Sequence, residues 1–351
     1  MKRNLLVLAL VAALAACGDD ADDADEVATT PAADAAAVPA AAPVTVAATP
    51  ATPATPAASV AVDPAMQARI DARAQAATSQ SAPAAGSSAT GKLAPATDAA
   101  SFATKLDRVL GGDHRSEANR ARDVYRHPKE TLAFFGLKPG DRVVEISPGA
   151  GWYTEVLAPL MRGNGKLVAA IPDDTIEGQP KYRYDVINRF KTLLWSRPDV
   201  YDQVEVELFT PPTESSLGAP GSADVVLTFR NVHNWIGDKS APAVFKAAFD
   251  VLKPGGVLGV TEHRAAAGKS AEESFKSGYL SEESVIKLAT DAGFTLAAKS
   301  EVNANPKDTK DYAEGVWTLP PTLKLGDADR EKYLAIGESD RMTLKFVKPV
   351  K

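Results

Sequence analysis

The chain has 351 residues, of which 45% are hydrophobic and 24% are charged, a composition typical of soluble globular proteins. Its length suffices for one large domain or two small ones. Its formal net charge of -6 at pH 7 argues against a general nucleic-acid binder, since phosphate backbones bind to basic surfaces. We therefore expect no nucleic acid among its partners.

The first residues have the pattern of a bacterial secretion signal. Lys2 and Arg3 precede an uninterrupted apolar run at 5–14, which is too short to span a bilayer as a mature helix. Small residues then lead to Cys17, the only cysteine of the chain. This segment resembles the lipobox of exported bacterial lipoproteins, in which the peptide is cut before the cysteine and lipid is attached to it.

That resemblance implies a signal peptide at 1–16 and a lipid anchor on Cys17. Gly18 follows the cysteine, which in Gram-negative lipoproteins implies sorting to the outer membrane, facing the periplasm. The alternative is that Cys17 is an ordinary thiol beside an ordinary cleavage site. With a single cysteine, an intramolecular disulfide cannot form in either case.

Residues 17–100 are predicted to form a disordered tether between the membrane and a folded domain at 101–351. The stretch 27–62 contains no Lys or Arg and consists almost entirely of Ala, Pro, Thr and Val. It has no large side chains to bury, and its prolines interrupt helices. We therefore expect all of the chemistry to lie in the domain.

Within the domain, short apolar runs alternate with helical stretches. The runs predict seven strands: Val143–Ile146, Leu167–Ile171, Val204–Leu208, Val225–Phe229, Val257–Thr261, Phe294–Lys299 and Met342–Val347. Continuous apolar runs of this length suit parallel strands that are covered on both faces. The pattern predicts a Rossmann-like, doubly wound α/β fold with a mostly parallel seven-stranded sheet.

The most informative segment joins the first predicted strand to the helix after it. Glu145 lies near the end of the strand, a loop with Ser147, Gly149 and Gly151 follows, and a helix begins directly after the loop. Glycines let a ligand approach the backbone closely. The start of a helix offers N–H groups and the positive end of its dipole.

This segment resembles the first motif of S-adenosylmethionine-dependent methyltransferases, in which an acid precedes glycines at two-residue spacing. The resemblance implies S-adenosylmethionine as the cofactor. It implies that Glu145 contacts the amino group of the methionine part and that Gly149 and Gly151 lie against that part. Ser147 stands where the family often has a further glycine.

Two later segments also resemble this family. Asp224–Leu227 is similar to its fourth strand, and Leu252–Leu258 is similar to the turn before its fifth strand. Arg230 and Asn231 come just after the fourth strand, and we assign them to the same cofactor site. The resemblance implies methyl transfer to an unidentified small-molecule acceptor.

The sequence departs from the family pattern at the positions that hold the rest of the cofactor. The second strand normally ends in an acid that binds the ribose hydroxyls. Here Pro172 follows the strand, and we assign the ribose to Asp173, although a solvated loop acid is the other reading. After the third strand, Phe209 and Thr210 occupy the place where an acid often meets adenine.

Two of the four histidines follow predicted strands at the edge where open α/β sheets bind ligands. His233 follows the fourth strand and His263 the fifth, and we predict that they are catalytic bases. The other reading is that each histidine only hydrogen-bonds a loop. Arg230 and Arg264 are candidates for holding an anionic substrate. The sequence leaves the oligomeric state open.

Three other functions fit parts of the pattern. A nicotinamide enzyme is disfavoured because Thr154 stands where its fingerprint needs glycine. A metal enzyme built on His233, Glu262 and His263 lacks tight ligand spacing, so we predict no metal site. The strongest rival is a non-catalytic ligand-binding module on the methyltransferase fold, since S-adenosylmethionine is made in the cytoplasm and the protein carries an export signal.

Overall fold

The computed structural model describes residues 96–270 and 275–350. The predicted signal peptide, the predicted lipidation site Cys17 and almost all of the predicted tether lie outside the described residues. The first helix, α1, spans Ala99–Leu110 and is capped by Asp98, whose side chain accepts a hydrogen bond from the backbone N–H of Ser101. This reciprocal cap satisfies N–H groups that the first helical turn leaves without a partner.

A single seven-stranded sheet forms the centre of the described residues, with the strand order β3-β2-β1-β4-β5-β7-β6. Its strands are β1 Arg142–Ile146, β2 Lys166–Ile171, β3 Val204–Leu208, β4 Ala223–Phe229, β5 Leu252–His263, β6 Thr295–Ser300 and β7 Arg341–Val347. β1 to β5 are parallel, and β7 runs antiparallel to both of its neighbours. The predicted fold class is confirmed.

Helices cover both faces of the sheet, as a doubly wound fold requires. After α1 they are α2 Glu117–Ala121, α3 Asp123–Arg126, α4 Pro128–Phe135, α5 Thr154–Met161, α6 Lys181–Ser196, α7 Pro198–Tyr201, α8 Val232–Gly237, α9 Ala241–Val251, α10 Glu282–Asp291 and α11 Arg330–Ile336. Short 3₁₀ helices lie at Phe275–Ser277 and Gly315–Thr318. No helix among the described residues is both long and apolar enough to cross a membrane.

The two faces of the sheet pack against different helices because successive strand residues point to opposite sides. Val144 and Ile146 of β1 pack in the core formed with α9 and α10. Val143 of the same strand packs in the core formed with α1, α4 and α5. α6 covers the ends of β2 and β3 through Ile187 and Phe190. Both faces are therefore filled, and the edge at the carboxyl ends of the strands is where a cavity opens.

Candidate functional site

A cavity of about 180 Å³ lies at the carboxyl ends of β1 to β4. The strand order reverses there: β2 and β3 lie on one side of β1, and β4 and β5 lie on the other. Open α/β sheets bind ligands at such a switch point. The cavity is lined by strand-end residues that include Glu145, Ile171, Phe209 and Arg230, and α6 contributes further residues.

The loop after β1 forms one wall of the cavity through Ser147 and Gly149. Both have positive φ, 52° at Ser147 and 61° at Gly149. A Cβ atom at Gly149 would meet nothing within 4 Å, so the space beside it is open. Asn231 holds the loop in place, because its amide group donates to the carbonyl oxygens of Ile146 and Ser147 at 3.2 and 3.1 Å.

Gly151 has a different environment from Gly149. A Cβ atom there would lie 2.2 Å from the Leu193 side chain of α6, and its φ is 99°. Gly151 is not among the residues that line the cavity. Its lack of a side chain therefore lets the loop pack against α6, so a substitution at Gly151 disturbs packing before it reaches a ligand.

Glu145 supplies a buried carboxyl group to the cavity. Its Oε2 accepts a hydrogen bond from Thr154 Oγ1 at 2.7 Å. Burial raises the pKa of Glu145 to about 7, although the Thr154 hydrogen bond acts in the opposite direction. Around neutral pH this group therefore changes between a hydrogen-bond donor and an anion, which suits it to a cationic ligand group such as an ammonium.

The two positions that depart from the family pattern differ in the structure. The Asp173 carboxylate accepts hydrogen bonds from the backbone N–H and the hydroxyl of Thr175, both at 2.8 Å. Asp173 does not line the cavity, and its role in binding ribose stays a prediction. Phe209 and Thr210 do line it, so the β3 end presents a ring and a hydroxyl where the family often has an acid.

His233 and His263 lie close together, with ring centroids 5.5 Å apart, and both are buried. His233 Nδ1 is 3.0 Å from Glu262 Oε1, and His263 Nδ1 is 2.5 Å from Ser339 Oγ. Burial lowers the pKa of His263 well below its ordinary value, and His233, Arg230 and Arg341 lower it further. His263 therefore stays neutral at neutral pH.

Only His263 of the two reaches a cavity wall. It lines a second, smaller cavity together with Arg230, Trp317 and Glu338. His233 lines neither this cavity nor the larger one. Their catalytic roles stay predictions, and the cavity that His263 lines is small, at about 10 Å³.

The structure also brings Glu262 between the histidines, which gives one three-residue cluster with metal-ligand chemistry among the described residues. Its candidate ligand atoms lie within 4.8 Å of one another. Glu262 Oε2 already accepts from the Val232 N–H at 2.6 Å, and Oε1 accepts from the His263 N–H at 2.8 Å. The cluster is better explained as a hydrogen-bonded network.

A group of arginines behind the cavity is the largest feature that sequence reasoning missed. Arg122 Nε, Arg126 Nε and Arg341 Nη2 lie 2.7, 3.0 and 2.8 Å from the carboxylate of Glu338. Glu338 follows Arg122 and Arg126 by more than two hundred residues, so no local pattern links them. The one available signal was a charged residue, Arg341, directly before the predicted strand Met342–Val347.

Trp152 and Tyr153, which follow the glycine loop, both line the cavity and both are buried. Tyr153 stacks on Phe229 with ring centroids 3.4 Å apart. The Arg115 and Arg126 guanidinium groups lie 5.0 and 4.7 Å from the centroid of the Trp152 ring. The pair therefore serves as core and as cavity wall together.

Arg264, the other candidate for an anionic substrate, has a different role. Its guanidinium pairs with Asp340 at 2.8 Å, with Glu282 at 3.1 Å and with Glu301 at 2.7 Å. Three carboxylates therefore surround it, and it lies outside both cavities. The structure does not support Arg264 as a residue that binds an anion.

The strand order, with β7 inserted antiparallel between β5 and β6, is typical of the S-adenosylmethionine-dependent methyltransferase fold. No protein-family model matches the chain. No curated protein matches it either.

Several solved structures are similar to this chain at low sequence identity. One is an S-adenosylmethionine-dependent methyltransferase from Aquifex aeolicus, with 18% identity over 70% of this chain and 98% of that one and a TM-score of 0.40. A second is the [4+2]-cyclase SpnF, with 17% identity over 71% of this chain and 94% of that one and a TM-score of 0.47. A third, from Methanosarcina mazei, is also an S-adenosylmethionine-dependent methyltransferase, with 14% identity, coverage of 63% and 98% and a TM-score of 0.41.

Proposed function

We propose that the protein transfers a methyl group from S-adenosylmethionine to a small-molecule acceptor. The observation that carries the proposal is the cavity at the switch point. Gly149, which has open space beside it, and the buried carboxyl group of Glu145 line the same wall of this cavity. A ligand with a flat or extended part beside the glycine and an ammonium at the acid fits this wall. S-adenosylmethionine has both features.

In this proposal Glu145 binds the ammonium of the methionine part, and Ser147 and Gly149 pack along it. Asn231 acts indirectly, because its side chain holds the loop that carries Ser147. Phe209 and Thr210 line the region beyond the end of β3, where the adenine ring would lie. Asp173 remains the candidate for the ribose hydroxyls if its loop turns toward the cavity.

When bound, S-adenosylmethionine would supply an electrophilic methyl group to the acceptor, and the electron pair of the broken carbon–sulfur bond would stay on sulfur. A hydroxyl or nitrogen acceptor then loses a proton. We assign that proton to His263, since it is neutral at neutral pH and lines the smaller cavity beside Arg230, a residue that lines both cavities. His233, held by Glu262, is the second candidate.

We further propose that the protein works at the cell envelope, anchored by lipid on Cys17 and facing the periplasm from the outer membrane. The support is the lipobox-like segment before Cys17 and the tether after it. Cys17→Ser is expected to give a protein without lipid mass that no longer fractionates with membranes. An acylated mutant protein would contradict this anchor.

A ligand-binding module without catalysis is the second candidate. The Asp173 carboxylate is hydrogen-bonded within its own loop. This favours a cavity that no longer binds the ribose of the cofactor. Such a module would bind a ligand but show no turnover.

Calorimetric titration of the full-length protein with S-adenosylmethionine, and separately with S-adenosylhomocysteine, tests the proposed function. We expect both to bind at one site per chain. NADH is the matched control, since it also carries an adenosine, and we expect it not to bind. Absence of binding by both sulfur compounds would refute the proposal. Binding without methyl transfer to any small molecule extracted from the cell envelope would favour the non-catalytic module.

A further inference from the structure

Three aromatic rings form a wall of the larger cavity to which the proposed function assigns no ligand. They belong to Trp152 and Tyr153, which follow the glycine loop, and to Phe229, the last residue of β4. The methionine part of the cofactor is assigned to Glu145 and Gly149, and adenine is assigned to the end of β3. This aromatic wall is therefore left for the second substrate.

The three rings of the aromatic wall are packed in a fixed order. The Tyr153 ring lies nearly parallel to the Phe229 ring, with the centroids 3.4 Å apart and an angle of 8° between the planes. The Trp152 ring meets the Tyr153 ring edge-on, with the centroids 4.7 Å apart and an angle of 75°. Phe229 is therefore the last ring of the stack, since Tyr153 lies between it and Trp152.

The polar groups of the wall are bonded within the protein. The Trp152 Nε1–H donates to the carbonyl oxygen of Asn119 at 3.0 Å, and the Tyr153 hydroxyl donates to the carbonyl oxygen of Arg126 at 3.3 Å. Burial raises the pKa of Tyr153, so its hydroxyl stays neutral. The wall therefore offers ring surface to a ligand, and its hydrogen bonds hold the rings in place.

Phe229 is the most exposed ring of the wall. Trp152 and Tyr153 are buried, whereas Phe229 is only half-buried at the end of a strand whose preceding residue, Thr228, is buried. Tyr153 covers one face of the Phe229 ring, and Phe135 lies farther away, with the centroids 6.4 Å apart. Part of the Phe229 ring borders the cavity, so a flat ligand can extend the stack there.

The position of Phe229 in the sheet places such a ligand between the two groups that the reaction needs. On one side, Thr228 pairs with Ile146, the last residue of β1 before the glycine loop. On the other side, Phe229 pairs with Thr261 of β5, two residues before His263. A ring on Phe229 therefore lies between the loop assigned to the methionine part and the strand that carries the candidate base.

We propose that the methyl acceptor is an aromatic compound whose ring stacks on Phe229 and whose hydroxyl or nitrogen receives the methyl group. The inference rests on the proposed function and adds the chemical class of the acceptor. The acceptor oxygen or nitrogen forms the bond to the methyl carbon, the carbon–sulfur bond breaks with its electron pair on sulfur, and the acceptor proton passes to His263. Because the wall is already ordered, binding immobilises few side chains.

The probe for the aromatic wall is 2-naphthol, titrated into the full-length protein by calorimetry. Decahydro-2-naphthol is the matched control ligand, since it has the same carbon skeleton and hydroxyl group but no aromatic face. Ring stacking adds to the effect of apolar burial, so we expect 2-naphthol to bind roughly 2- to 10-fold more tightly than the control ligand. Equal affinities, or no binding of 2-naphthol, would overturn the proposal.

Variants of Phe229 place this preference at the wall. Phe229→Leu removes the ring but stays apolar, so the preference for 2-naphthol should disappear, and Phe229→Tyr should retain it. Phe229→Met makes the same test if Phe229→Leu does not fold. The matched control is Phe249→Leu, because Phe249 is also half-buried and packs on a ring, that of Phe294 at 5.2 Å, but lines neither cavity. A preference that survives in Phe229→Leu or Phe229→Met would contradict the assignment to Phe229.

A second arm separates the acceptor from the adenine of the cofactor. The 2-naphthol titration is repeated with saturating S-adenosylhomocysteine and with saturating adenosine, and we expect 2-naphthol to bind in both cases. If both compounds displace it, the aromatic wall holds adenine and the assignment to the acceptor is wrong. If S-adenosylhomocysteine does not bind while the preference for 2-naphthol still depends on Phe229, the proposed function falls and the aromatic site stands.

Discussion

The two sides of the cavity are built differently. The wall that carries Glu145 and Gly149 comes from one continuous loop and contains a single acid whose pKa is raised by burial. The rear wall contains Arg126 of α3 and Arg230 after β4, and Glu338 before β7 pairs with Arg126 behind this wall. The first wall is nearly complete in local sequence, whereas the second exists only when three distant parts of the chain meet.

The difference between the two sides separates residues that affect binding from residues that affect stability. On the loop side, the empty space beside Gly149 and the raised pKa of Glu145 should cost the fold little stability. On the arginine side, the Glu338 carboxylate pairs with three arginines, so its loss should have a large effect on folding. Substitutions on the two sides should therefore be told apart by whether they change stability or cofactor affinity.

The largest effect is expected from Glu338→Gln, which removes the carboxylate that pairs with Arg122, Arg126 and Arg341. We expect the free energy of unfolding to fall by about 3–5 kcal/mol, because buried cations lose their counter-charge. Urea denaturation measures this change. The control is Glu301→Gln, since Glu301 also pairs with an arginine, Arg264, but its side chain is 65% exposed. That loss should be about 0–1 kcal/mol, and equal losses in both variants would contradict the role of Glu338.

The next effect concerns the loop side and should appear in binding. Gly149→Val places a side chain in the open space of the cavity and is expected to weaken S-adenosylhomocysteine by roughly 100-fold or more. Gly221→Val is the matched control, because Gly221 has a similar φ of 67°, also has open space, and precedes β4 at the opposite edge. Calorimetry should find its affinity unchanged. Similar losses in both variants would move the cofactor away from the loop.

A smaller effect is expected from the titration of Glu145. An ammonium ligand favours the ionised carboxylate, so affinity for S-adenosylhomocysteine should rise as pH increases through about 7. The expected gain is about tenfold between pH 6 and pH 8. Glu145→Gln should bind roughly 10-fold more weakly at pH 8 and lose this pH dependence. A wild-type affinity that does not change with pH would separate Glu145 from the ligand.

Replacing Glu145 should change stability in the opposite direction from replacing Glu338. Burial raises the pKa of Glu145 in the folded state, so the folded protein favours the protonated form and its stability falls as pH rises from about 4.5 to about 7. Gln resembles the protonated acid. Glu145→Gln should therefore unfold at higher denaturant at pH 8, by roughly 1–3 kcal/mol, and equally with the wild type near pH 4. A destabilised variant at pH 8 would contradict the raised pKa.

The sequence by itself determined the parts of this protein that depend on local pattern. Short apolar runs, separated by helical stretches, predicted all seven strands, and the loop with Glu145 and its glycines predicted where the cavity opens. Both signals are local, because the hydrophobic pattern of a strand and the conformational freedom of glycine each involve only a few residues. The sequence did not distinguish Gly149 from Gly151. One lines the cavity and the other packs against Leu193, a contact made by a helix forty residues away.

Only the tertiary structure decided how the charged residues are used. Arg230 and Arg264 each follow a predicted strand in the sequence, yet three carboxylates surround Arg264, whereas Arg230 lines the cavity. His233 and His263 likewise follow neighbouring strands, but only His263 reaches a cavity wall. The physical reason is that electrostatic interactions depend on distance through space and on burial, and both are set when β7 brings Glu338 and Arg341 beside α3 and the end of β4.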